Sequence, residues 1–157
     1  MLLGGCGESG FWDYDAILTY HSEFDSRRLT HRPMNGYPPW KIELLRTEEG
    51  IEMFISLLQH RFLPSVKDPF SISVALRLED EKTRVEGEAL LFNGQMKLRF
   101  SDALTKTFIE ALQEGKKVSI LVDGMQETLE PDFFKETFSK LMKAGYDWNI
   151  NIQTPLK

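Results

Sequence analysis

Five residues between positions 13 and 25 have side chains that could bind a divalent cation: Asp13, Asp15, His21, Glu23 and Asp25. Carboxylate oxygens and imidazole nitrogens are common ligands of such ions. Their spacing lacks the tight carboxylate pattern, with a glycine at the bend, that calcium loops use. We therefore interpret this segment as a polar surface stretch, and a small metal-dependent hydrolase is the less favoured alternative.

Other patterns of catalytic residues are missing from the sequence. There is no Gly-x-Ser-x-Gly motif for a serine nucleophile and no glycine-rich loop that could bind phosphate. His60 follows Leu57 and Leu58, which is typical of a histidine at the end of a strand rather than of a general base. The sequence thus predicts a protein that is not an enzyme and that uses no cofactor.

Cys6 is the single cysteine of the chain, so it has no partner for an internal disulfide. It ends the run Leu3-Gly4-Gly5-Cys6, and the small, polar run Gly7-Glu8-Ser9-Gly10 follows it. The first run resembles the lipobox of bacterial lipoproteins, where an aliphatic and two small residues precede the lipidated cysteine. The resemblance implies a membrane anchor on Cys6 and a place in the bacterial envelope, facing the periplasm or the cell exterior.

The leader of that family is shortened in this sequence. A complete leader has a positive segment and then an apolar segment of ~7–15 residues. Only Met1, Leu2 and Leu3 precede the glycines, and no lysine or arginine occurs before Arg27. We expect a truncated signal peptide. The alternative is a secreted or periplasmic binding module without lipid, in which Cys6 has no role.

The basic cluster of the chain comprises Arg27, Arg28, His31 and Arg32. Cations near an anionic membrane surface contribute ~1 kcal/mol each. We predict that the three arginines contact anionic head groups or an acidic protein partner in the envelope, and a solvated loop is the alternative. The net charge of −5 is spread along the chain, which argues against nucleic-acid binding.

The length of 157 residues fits one domain, which we place at residues 11–157 behind a tether at residues 1–10. Residues 70–78 alternate apolar and polar side chains, as a half-buried strand does. Residues 40–46 and 51–59 predict a hairpin, and two amphipathic helices are expected after Ser101 and at Pro131. The fold class is therefore mainly β with two helices (α+β): an antiparallel sandwich or open barrel with helices on one face or end.

The dipeptide Asn93-Gly94 predicts a two-residue type I′ turn, because both residues tolerate positive φ. That turn would place Phe92 opposite Gln95, and Glu88 opposite Arg99. Gly145 is expected to end the second helix, and a last strand is expected at residues 148–152.

The stretch 99–141 combines a strand, a helix, the run Ala111-Leu112-Gln113-Glu114-Gly115-Lys116-Lys117-Val118, a further strand and a second helix. This order resembles the C-terminal half of the invasion-associated locus B family of exported bacterial proteins. The resemblance implies a β-sandwich and export from the cytoplasm. The disulfide cysteines and the early tryptophan motif of that family have no counterpart here.

Overall fold

One antiparallel β-sheet organises the fold. The protein is represented by a computed structural model that describes residues 12–17, 20, 26–65, 67–79, 82, 84–92 and 94–153, with side chains as far as residue 143. The strands are β1 (Trp12–Ile17), β2 (Ser26–His31), β3 (Trp40–Thr47), β4 (Gly50–Leu57), β5 (Ser71–Leu78), β6 (Arg84–Phe92), β7 (Lys97–Phe100), β8 (Val118–Val122) and β9 (Met125–Leu129).

The nine strands pair in the order β1-β2-β3-β4-β7-β6-β5-β8-β9, which is that of an open sheet. Helix α1 (Asp102–Gln113) and helix α2 (Phe134–Gln153) follow β7 and β9. Helix α1 contacts β4, β5, β6 and β8, and α2 contacts β1 and β2. We call the face that carries the helices the inner face. The predicted class, mainly antiparallel β with two helices on one face, is confirmed.

The alternation of side chains explains which residues of a strand reach the core. In β5, Ile72, Val74 and Leu76 are buried on the inner face, as the sequence predicted. The predicted hairpin of β3 and β4 is also confirmed, because Thr47 pairs with Gly50 across a tight loop. Leu98 of β7 is fully buried on the inner face, where it pairs with Ile55 of β4 and Leu91 of β6.

A turn with two positive φ angles occurs between β8 and β9. Asp123 and Gly124 have φ angles of 53° and 76°, and Val122 pairs with Met125 directly across them. These are the angles that a type I′ turn requires. At the predicted Asn-Gly site, Gly94 also has a positive φ, of 64°, and the backbone N–H of Gln95 donates to the Phe92 carbonyl at 3.0 Å, but Gln95 adds a further positive φ, of 70°.

The predicted register of the β6–β7 hairpin is wrong by two residues. Phe92 pairs with Lys97 rather than with Gln95, and Arg99 lies opposite Leu90 rather than Glu88. The backbone oxygens of Gln95 and Met96 accept hydrogen bonds from Phe62 and Leu57, which lengthens the loop. Because the shift is an even number of residues, every side chain keeps its predicted face. Asn93 lies outside the described residues.

Helix α1 begins as predicted. The hydroxyl of Ser101 accepts a hydrogen bond from the backbone N–H of Leu104, and Asp102 lies in the first turn, where the helix dipole favours an acidic side chain. Leu104 and Phe108 are buried against the sheet. Gly87 of β6 lets the helix approach closely, since a Cβ at that position would lie 2.7 Å from Cδ1 of Leu104.

Gly87→Ala is expected to lower the free energy of unfolding by about 1–3 kcal/mol, because the new methyl group overpacks the contact with Leu104. Urea unfolding followed by circular dichroism measures this change. Glu88→Ala, at the next and exposed position of the same strand, is the control and should have little effect. A loss of stability in Glu88→Ala equal to that of Gly87→Ala would contradict the explanation.

Helix α2 differs from its prediction at both ends. It begins at Phe134 rather than at Pro131, because Phe133 has a positive φ of 64°, which a helix does not allow. It continues through Gln153, so neither the stop at Gly145 nor the strand at residues 148–152 is correct. One glycine inside a helix costs only about 1 kcal/mol, which neighbouring turns offset. Phe134, Phe138 and Leu141 are buried as expected, whereas Met142 is 41% exposed.

Candidate functional site

The structure distributes the predicted basic cluster over both faces of β2. Neighbouring residues of a strand point to opposite faces, so Arg27 and Arg28 diverge. Arg32 follows the strand and is exposed. The guanidinium of Arg28 lies 3.5 Å from Asp15 and 3.4 Å from Glu43 on the outer face. Contact of the three arginines with an anionic surface stays a prediction.

The acidic residues near the start of the chain are described only in part. Asp13 and Asp15 are two residues apart in β1 and lie on its outer face. His21, Glu23 and Asp25 lie outside the described residues, as does Cys6. Within the described ranges, no group of three or more His, Cys, Asp or Glu side chains could hold a metal ion.

Glu43 is the centre of a charged cluster on the outer face of the sheet. Its side chain is only 8% exposed. Arg28 Nη1 and Lys41 Nζ lie 3.4 and 3.5 Å from Oε2, and Lys97 Nζ lies 3.9 Å from Oε1. We call these four residues the Glu43 cluster. Three strands meet there, since Arg28 comes from β2, Lys41 and Glu43 from β3, and Lys97 from β7.

The register of the sheet explains why this carboxylate is buried on an otherwise open face. Thr30 of β2 and Phe54 of β4 lie directly opposite Glu43 on either side. The long side chains of the cations extend over it with their charged ends toward solvent. A buried carboxylate without partners would be strongly destabilising, and the surrounding cations offset that desolvation.

Aromatic side chains border the Glu43 cluster. The ammonium of Lys97 lies 4.6 Å from the centre of the Phe54 ring, within the range of a cation–π interaction. The rings of Phe54 and Phe92 are 6.5 Å apart. Leu90, also on the outer face, is 48% exposed. We call Phe54, Leu90 and Phe92 the Phe54 patch.

A second buried carboxylate lies on the inner face, at the other end of the sheet. Glu127 of β9 accepts a hydrogen bond from the Trp40 indole N–H at 2.7 Å. Its other oxygen lies 2.8 Å from Nε2 of His31. We call these three residues the Glu127 network. Six strand positions separate β3 from β9, so the sheet must curl until its two ends meet across the interior.

Aromatic rings enclose the histidine of the Glu127 network. His31 is 2% exposed, and the Trp12 ring lies 5.0 Å from its own ring, between centroids. Trp12 in turn contacts Phe108 of α1 and Phe134 of α2. A general base must lie within hydrogen-bond reach of its substrate. The His31–Glu127 pair is buried, and it links β2 to β9.

Neither buried carboxylate stands out in the sequence. Glu43 stands between Ile42 and Leu44 in an alternating strand, which predicts an exposed position on the outer face. Glu127 belongs to a short extended segment with no marked pattern. A pairing of β3 with β2 and β4 would have brought cations near Glu43, but β1 and β2 were not predicted as strands.

Comparison of the chain with models of protein families, with curated proteins and with solved structures gives no match. The resemblances to bacterial lipoproteins and to the invasion-associated locus B family therefore stay predictions. Neither helix, over the residues that the structure describes, is long and apolar enough to cross a membrane.

Proposed function

We propose that this protein is a lipoprotein of the bacterial cell envelope with a non-catalytic binding or structural role. The acylated Cys6 would hold the domain at a membrane, and residues 7–10 would act as the tether. Two acyl chains suffice for stable anchoring, whereas one gives only marginal binding. The outer face of the sheet would be the surface that meets a partner.

The observation that carries the binding role is the difference between the two faces of the sheet. The inner face is packed by α1 and α2, while the outer face carries the Glu43 cluster and the Phe54 patch. Aromatic side chains and arginines are enriched where proteins meet their partners. The 39% exposed Phe92 and the partly exposed Arg28 of this face fit that composition, and the exposed Leu90 adds apolar area that a partner would cover.

The burial of His31 supports a non-catalytic role. Its Nε2 is held by Glu127, and the ring is 2% exposed, so this pair is out of reach of a substrate in solution. The rim of the outer face, by contrast, offers charged groups that are 26–35% exposed. These charged groups are therefore accessible to a binding partner at the surface.

Mass spectrometry of the protein purified from its native membrane tests the anchor. We expect the mass of a diacylglycerol thioether on Cys6 and partition of the protein into the detergent phase. Cys6→Ser, expressed in the same way, is the control and should partition into buffer. An unmodified native protein found wholly in buffer would contradict the anchor and favour the secreted or periplasmic module without lipid.

A further inference from the structure

The Glu43 cluster has more positive than negative charge. Arg28, Lys41 and Lys97 share one carboxylate, which leaves a formal excess of two positive charges among these four residues. Asp15 also contacts Arg28, but it is 56% exposed at the edge of the cluster. For Lys41 and Lys97, Glu43 is the one acidic partner among the residues that the structure describes.

Lys41 and Lys97 have N–H donors that their contact with Glu43 does not use. Their ammonium groups approach different oxygens of the same carboxylate, so they lie on either side of it. An ammonium group has three N–H donors, and the contact with Glu43 uses only part of them. The lysine side chains are 26% and 30% exposed, so an anion from solvent can reach the remaining donors.

We propose that the Glu43 cluster binds a phosphate group. A phosphate monoester carries a charge of about −1.5 to −2 at pH 7. The cations carry a formal excess of two positive charges over Glu43, or of one when Asp15 is counted, so an added anion is attracted in either case. Its oxygens can accept hydrogen bonds from two lysines and an arginine together, and such charge-assisted bonds are about twice as strong as neutral ones. The inference rests on the proposed binding role of the outer face.

The surroundings of Lys97 favour this site over other surface lysines. The Phe54 ring beneath its ammonium holds the charge near Glu43. The aromatic side chain also excludes water from one side of the cluster, which strengthens electrostatic attraction there. Lys106 of α1 differs in this respect, since it is 75% exposed and its acidic partner within the described part of the chain is Glu110, at 4.0 Å.

Titration calorimetry with inorganic phosphate at low ionic strength tests the proposal on the full chain. We expect saturable binding that equal concentrations of chloride do not reproduce. Lys41→Met and Lys97→Met should each weaken binding about tenfold, because each removes a charge-assisted hydrogen bond. Lys106→Met makes the same change in net charge and should leave the affinity unaltered. Absence of saturable binding, or an equal loss in Lys106→Met, would overturn the proposal.

Glu43→Gln tests whether the charge of Glu43, rather than a disturbed structure, determines how tightly phosphate binds. Glutamine keeps the shape of the side chain but removes the negative charge that competes with phosphate for the cations. Phosphate should bind several-fold more tightly to this variant, and it should raise its melting temperature more than that of the unchanged protein. Weaker binding by a folded Glu43→Gln variant would overturn the proposal. If Glu43→Gln does not fold, the proposal is tested by the phosphate affinities of Lys41→Met and Lys97→Met.

The phosphate could belong to a soluble molecule or to a lipid head group, and vesicle flotation distinguishes the two. Cys6→Ser is used so that no acyl chain contributes. Flotation with vesicles that contain phosphatidic acid, whose head group is a phosphate monoester, but not with phosphatidylcholine vesicles, lost in Lys97→Met, assigns a head group as the source. Calorimetric binding without flotation assigns a soluble phosphate, and failure of both overturns the proposal. The test of acylation at Cys6 is independent of these results.

Discussion

Leu98→Asp is expected to prevent folding. Leu98 is fully buried on the inner face, between Ile55 and Leu91 of the neighbouring strands. An unpaired charge at such a position costs several kcal/mol, which is a large part of the about 5–15 kcal/mol that stabilises a typical domain. The variant should lack the cooperative unfolding transition that circular dichroism records for the unchanged protein in urea.

Leu90→Asp is the matched control for that variant. Leu90 lies on the next strand but on the outer face, 48% exposed and directly opposite Arg99. The new carboxylate would remain in contact with water and near a cation, so the protein should fold with little change in stability. Equal damage from both substitutions would mean that the two faces of the sheet have been assigned wrongly.

Glu127→Ala is expected to lower the free energy of unfolding by about 2–6 kcal/mol, because it leaves two buried groups without a hydrogen-bond partner, at about 1–3 kcal/mol each. The Trp40 indole N–H and the His31 ring would both lose their hydrogen bond to the carboxylate. The substitution also removes the side-chain contact that joins β9 to β2 and β3. Urea unfolding measures the change.

Glu130→Ala is the control on the same segment. Glu130 is 35% exposed and forms a surface ion pair with Lys117 at 3.6 Å, and such pairs contribute about 0–1 kcal/mol. Glu127→Gln should recover part of the stability, since its oxygen can still accept from Trp40. A double-mutant cycle with Trp40→Phe should show strong coupling to Glu127. Additive effects would contradict the proposed link between the ends of the sheet.

Local patterns predicted much of the fold from Trp40 onward. The alternation in β5, the start of the first helix after Ser101 and the hairpin of β3 and β4 all match the structure. Each of these features depends on residues close together in the sequence, either through side-chain periodicity or through the geometry of one turn. Such features do not depend on which distant parts of the chain meet.

The errors occurred where distant segments compete for the same backbone groups. The loop between β6 and β7 is longer than its Asn-Gly pair predicts, because Leu57 and Phe62 donate to its carbonyl groups. Strand β1 alternates apolar and polar residues only over positions 12–16, which is a short pattern, and β2 shows no clean alternation. They become strands by pairing with each other and with β3, and by packing Trp12 and Leu29 against the core.

The amino-acid sequence by itself determined the class of fold, the first helix and its cap, and which side chains of the central strands face inward. Only the tertiary structure decided where the two buried carboxylates lie and what they contact. Glu43 meets cations from three strands, and Glu127 meets His31 and Trp40 from the far end of the sheet. The physical reason is that periodicity specifies the face of a strand, whereas the neighbours on that face depend on strand order and on the curl of the whole sheet.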